Sequence, residues 1–158
     1  MSALGAGGKG MARRTFFSFH YERDVWRATN VRKSSQFLTG VDSEWIDASL
    51  WEDAKLTGDA ALKRLMDNAI TGTSVTAVLI GADTYRRRWV KYEIERSIEK
   101  GNGVFGIYIH NIRDQSGWTD SKGMNPLPPH CRTYDWVYDD GRNMLGNWVS
   151  LAYKERIL

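Results

Sequence analysis

Residues 74–81 read SVTAVLIG, eight positions with no charge and no polar alternation. A strand with one wet face alternates apolar and polar side chains, whereas a strand covered on both faces reads as a continuous apolar run. The run is also too short for a buried helix. It therefore predicts a central strand with helices above and below it. The segment GVFGIYI at 103–109 is a second run of this kind, and TFFSF at 15–19, rich in aromatics, is a third.

Between these runs lie helical signals. Leu62, Leu65, Met66, Ala69 and Ile70 recur at i, i+3, i+4, i+7 and i+8. Asp59 stands near the start of that pattern, where a carboxylate is favourable, and Thr71-Gly72-Thr73 ends it. A helix is predicted from about 84 to 100, stopped by Gly101 in the C′ position. Polar residues 20–24 open a helix running to about 33, and 143–156 forms a closing helix. The segment 45–47 is read as the second strand, 48–57 as a loop, 113–130 as a long loop holding all three prolines, and 134–138 as a short last strand. Strands alternating with helices predict an α/β fold with a mainly parallel sheet. In such sheets ligands lie outside the carboxyl ends of the strands. Here those ends are 20–21, 47–51, 81–85 and 110–111.

Composition narrows the field. The chain has 158 residues, 42% hydrophobic and 26% charged, which suits one folded domain at 13–158. The Gly-rich start, MSALGAGGKG, makes 1–12 a flexible tail or an expression remnant. No run approaches a membrane span. A single cysteine, Cys131, excludes an internal disulfide, and with no export leader the expected compartment is the cytoplasm. Three His and one Cys without ligand spacing predict no metal. The net charge of +3 is mild and suits an anionic ligand. The run Arg86-Arg87-Arg88 would serve a nucleic-acid binder, but a basic stripe interleaved with aromatics is missing, so none is expected. A phospho-receiver with Asp47 as acceptor needs acids directly after the first strand to hold magnesium. That strand ends Ser18-Phe19-His20-Tyr21, with acids only at Glu22 and Asp24.

Glu93 is the candidate reactive carboxylate. Helical residues advance about 100° each, which puts Glu93 roughly 60° from Val90, at the rim of the face formed by Val90, Ile94, Ser97 and Ile98. Tyr85, Trp89 and Glu93 form an adjacent i, i+4, i+8 row. The plain alternative is a salt bridge to Arg87 or Arg96.

The segments FFSFHY (16–21), FLTGVDSEWIDASLWEDAK (37–55), SVTAVLIG (74–81) and RRRWVKYEIERSIEKGN (86–102) together resemble TIR-type domains, most nearly the TIR-like, ThsB-type subunit of the bacterial Thoeris anti-phage system. The resemblance covers 13–112 well and 134–149 loosely. It implies a flavodoxin-like three-layer sandwich. It implies that Glu93 is the catalytic glutamate of an enzyme that breaks the nicotinamide–ribose bond of NAD, a substrate rather than a cofactor. The product would be a cyclic or conjugated ADP-ribose signal that activates a separate effector, with a phage-derived trigger and a homo-oligomer as further implied partners. Phe19, His20, Tyr21, Asp47, Trp51 and Trp89 are the candidate substrate-binding residues. For His20 the alternative is a capping histidine, for Asp47 a turn cap, and for Trp51 and Trp89 core packing. The resemblance also matches Trp51 and Glu52 to the family's flexible BB loop. A non-catalytic TIR-like interaction module is the rival reading. The chain is short after Ile112 for a Thoeris relative, which bears on how the pocket closes.

Overall fold

A computed structural model of the chain describes residues 12–36, 38 and 40–156. The expected tail lies outside them apart from Ala12. Five strands form one sheet: β1 (Arg13–Ser18), β2 (Val41–Glu44), β3 (Val75–Ile80), β4 (Gly103–Tyr108) and β5 (Thr133–Asp135). Their order is β2-β1-β3-β4-β5, and every pairing is parallel. The helices are α1 (Val25–Ser35), α2 (Ala48–Thr57), α3 (Asp59–Thr71), α4 (Arg88–Lys100) and α5 (Gly141–Glu155). The arrangement is the α/β, flavodoxin-like sandwich expected.

Chain direction decides the layers. Strand β2 lies on one side of β1 and β3 on the other. Right-handed crossovers to opposite sides place α1 on one face, with α5 packed against it, and α2, α3 and α4 on the other. Side-chain alternation along β3 follows. Val78 and Ile80 pack on Val90 and Ile94 of α4, while Val75, Ala77 and Leu79 join the larger cluster with Val31, Leu145 and Val149. The whole of β3 is buried, as its unbroken apolar run requires.

Three expectations are corrected. The second strand is Val41–Glu44, not 45–47. Trp45 reads like a strand residue because it is an apolar side chain that packs on the core, partly buried and stacked on Phe17, 4.2 Å between centroids and 2° between planes. Residues 48–57 form a helix, not a loop. Only Trp51 of that helix is buried, so it carries no apolar stripe that a sequence pattern could reveal. The helix expected from 84 begins at Arg88, because Thr84–Arg86 is a 3₁₀ turn and Arg87 is extended, with φ −82° and ψ 116°. Its end is as expected: Gly101 is left-handed at φ 90°.

The connection from β4 to β5 contains no strand or helix. It is strapped to α1 and the preceding turn by arginines. Arg27 donates from Nε to the Ile112 carbonyl at 2.7 Å and from Nη2 to the Trp118 carbonyl at 3.0 Å, and Arg23 donates to Asp120 at 2.7 Å. Beneath the sheet's other end, Gly103 starts β4 where α5 passes close. A Cβ on Gly103 would sit 2.1 Å from the Ala152 carbonyl oxygen, a backbone atom in a packed helix. Gly103→Ala is therefore expected to destabilise by about 2–3 kcal/mol, read as a thermal midpoint lower by roughly 5–10 °C.

Candidate active site

Strand β1 ends in Ser18, the one hydroxyl in the run Phe16-Phe17-Ser18-Phe19. Its side chain points to the α4 face, where Glu93 stands in the buried row Val90, Glu93, Ile94 and Ser97. Ser18 Oγ donates to Glu93 Oε1 at 2.6 Å, and the Tyr21 hydroxyl donates to Oε2 at 2.7 Å. Both lie at the short end of the ordinary range for O–H···O bonds. Glu93 is 0% exposed. The expected rim position is thus covered: Glu93 occupies the edge of an arc about 100° wide, and Tyr21 closes over that edge.

Burial pushes the Glu93 carboxyl up to about 8, outweighing the two hydroxyl bonds that pull it down. Burial, then the adjacent Glu93, pushes the Tyr21 phenol well above its usual range. Near neutral pH the closed site therefore holds a protonated acid. Its O–H can donate to either hydroxyl oxygen, since Ser and Tyr both donate and accept.

Tyr21 has two further neighbours. Its ring lies 4.4 Å from Trp51 and 4.5 Å from Phe19. It also walls a cavity of about 180 Å³ together with Phe19, Trp45, Arg32, Thr29 and Asp47. The Arg32 guanidinium sits 5.7 Å above the Trp45 ring and makes no ion pair among the described residues. Neither Glu93 nor Ser18 lines this cavity, so Tyr21 is the partition between it and the carboxyl. The segment carrying Tyr21 is tied down next door: Glu22 pairs with Lys55 of α2 at 2.9 Å and with Arg87 at 2.8 Å.

The remaining sequence candidates divide. Phe19 and Asp47 reach the cavity. Asp47 is also the N-cap of α2, its Oδ1 accepting from the Ser49 N–H and hydroxyl, each at 3.2 Å. Asp47→Ala is expected to cost about 1 kcal/mol in a thermal melt, and Asp47→Ser, which keeps a capping oxygen, much less. Trp51 is 2% exposed, packed on Tyr21, with an indole N–H that has no partner among the described residues. His20 accepts the backbone N–H of Arg23 at 3.1 Å, which caps the turn, and burial holds its imidazole below the usual range. Trp89 is apart from the cavity. It packs edge-on to Tyr92 and beneath the Arg88 guanidinium. Neither Arg87 nor Arg96 bridges Glu93; they pair with Glu22 and Asp67. Sequence reasoning missed Ser18, Arg32 and Trp45. Ser18 carried a signal: a lone hydroxyl inside a buried strand must find a partner.

Comparison with known proteins gives two findings. The family described as Thoeris protein ThsB, TIR-like domain, matches residues 16–114. A protein of Bacillus cereus (strain MSX-D12), named "Putative cyclic ADP-D-ribose synthase ThsB1", is 39% identical over 196 aligned positions, covering 89% of this chain and all of the relative. The alignment is longer than this chain, so the relative carries segments that this chain lacks.

Proposed function

The chain belongs to the ThsB TIR-like family of Thoeris proteins, and from that membership we propose that it cleaves NAD at the nicotinamide–ribose bond and converts the ADP-ribose part into a cyclic or conjugated signal. The observation that carries the reading is Glu93, a buried carboxyl held by two hydroxyls beside an aromatic cavity at the carboxyl end of β1. The name of the Bacillus cereus relative points the same way.

The chemistry suits a single carboxylate. Nicotinamide leaves as a neutral molecule from a cationic precursor, so no general acid is required. Positive charge then develops on the ribose, and Glu93, ionised once the closed site opens to substrate and its proton has left, stabilises it far more than water would. The aromatic side chains of Phe19 and Trp45, which line the cavity, are suited to stacking on a flat ring, and Arg32 offers a positive charge to a phosphate. At about 180 Å³ the cavity is smaller than the 300–1,000 Å³ of ordinary ligand pockets. It takes one end of a dinucleotide, with the rest lying along the surface. Excluded water favours cyclisation over hydrolysis. In this reading the product activates a separate effector, a phage-derived molecule triggers the enzyme in the cytoplasm, and copies of the chain assemble to complete the pocket. Among the described residues no helix is long and apolar enough to cross a membrane.

The full burial of Glu93 favours a second reading, a non-catalytic interaction module, in which the carboxyl is structural and Leu50 and Leu56, exposed on α2, meet a partner. Mass spectrometry separates the two. Purified protein with NAD, and extracts of expressing cells with and without phage, are expected to show NAD loss and a new ADP-ribose-derived species. Unchanged NAD in every sample would leave the module as the reading.

A further inference from the structure

The two hydroxyls on Glu93 are not equivalent. Ser18 belongs to β1, and its Cα is in register with Val78 of the buried β3. Its oxygen is fixed by the middle of the sheet. Tyr21 stands outside the strand, in the turn before α1, and lines the cavity. Together they give the carboxyl one O–H on each oxygen. A ribose carries the same chemistry, hydroxyls on adjacent carbons that can each donate to a carboxylate oxygen.

We propose that Tyr21 holds the place of a substrate hydroxyl. In the resting protein its O–H occupies Glu93 Oε2 and shuts the carboxyl away from the cavity. A ribose hydroxyl entering from the cavity takes that oxygen, Tyr21 swings aside, and Ser18 stays on Oε1. Ser18 is then a positioning residue that keeps the carboxyl aimed throughout the reaction, and Tyr21 is an autoinhibitory contact. No atom is transferred; one O–H···O bond replaces another. Trp51, whose ring lies tilted at 33° against that of Tyr21, has to yield with it, and its unpartnered N–H becomes available to the incoming ligand. This inference rests on the NAD reading above.

The test sets two variants against each other. Tyr21→Phe keeps the ring and removes the competing O–H. It is expected to lower KM for NAD several-fold at little change in kcat. Ser18→Ala frees Glu93 Oε1 and is expected to lower kcat about tenfold or more at nearly unchanged KM, with Ser18→Thr recovering part of the loss. A merely structural role would move both variants the same way. If Tyr21→Phe loses kcat as Ser18→Ala does, Tyr21 is a permanent partner and the proposal fails. A second readout needs no turnover. The hydrogen-bonding signature of the Tyr21 phenol in ultraviolet resonance Raman, assigned by subtracting Tyr21→Phe, is followed as ADP-ribose is added. Release of that bond supports the exchange even if NAD is never consumed, in which case only the catalytic reading falls. An unchanged signature at ADP-ribose concentrations up to millimolar overturns the exchange.

Discussion

Glu93→Gln is expected to lose NAD turnover by about 10²–10³-fold in kcat while keeping the fold and, to within a few-fold, KM. The magnitude is that of removing one preorganised electrostatic partner from a dry site, about 3–4 kcal/mol of barrier. The side chain keeps its size, and its amide can still accept from one hydroxyl and donate to the other. What disappears is the negative charge opposite the ribose. Steady-state chromatography of NAD and product, beside a thermal melt of the same preparation, checks both halves. A variant that melts like the wild type and turns over NAD at the wild-type rate would remove Glu93 from the chemistry and give the lead to the interaction module.

The same variant is expected to change how stability depends on pH. In the folded protein burial holds the Glu93 carboxyl at about 8, against an ordinary 4.5 in the unfolded chain. Between those values the folded state carries a proton that the unfolded state has lost. Stability therefore falls as pH rises from about 4.5 to 8, and the loss is complete above the folded value. Integrated over the window it is on the order of 5 kcal/mol, which corresponds to roughly 10–20 °C in the midpoint of a chain this size. Gln carries no such proton. Set beside Glu93→Gln, the wild type should compare best near pH 5 and lose ground steadily towards pH 8. Scanning calorimetry of both proteins across that range gives the difference directly. Parallel curves would mean that Glu93 is ionised in the closed protein, with water or a cation reaching it.

The sequence disclosed some parts of this architecture and hid others for physical reasons. β1, β3 and β4 were legible because interior parallel strands need apolar side chains on both faces. The end of α4 was legible because Gly101 is left-handed there. Strand β2 was not: Val-Asp-Ser-Glu lies at the sheet edge, where only Val41 is buried and no apolar run is needed. α2 was hidden because a capping Asp47 and one anchoring Trp51 hold it against the body, and neither makes a periodic stripe. Glu93 could be singled out as a candidate from its helical angle and the resemblance. Its burial could not, because that depends on Tyr21, 72 residues earlier in the chain. Of the aromatic candidates, Trp89 shows the limit of spacing arguments. It stands one turn before Glu93 yet packs on Tyr92 and Arg88.

That separation has a consequence for how the molecule is made. Among the described strands β1 comes first in the chain, but it lies inside the sheet and must wait for β2 on one side and β3 on the other. Its Ser18 meets Glu93 only after another 75 residues have emerged. Long-range parallel pairing closes large loops before any contact rewards them, so this core should form late and slowly. Until it does, the aromatic run at 16–21 is an unpaired, exposed segment suited to aggregation. The carboxyl's two hydroxyl partners come from β1 and the turn after it, so its site forms only once β1 and α4 are packed together. A nascent or partly unfolded chain thus has no assembled Glu93 site, whatever that site does in the finished fold.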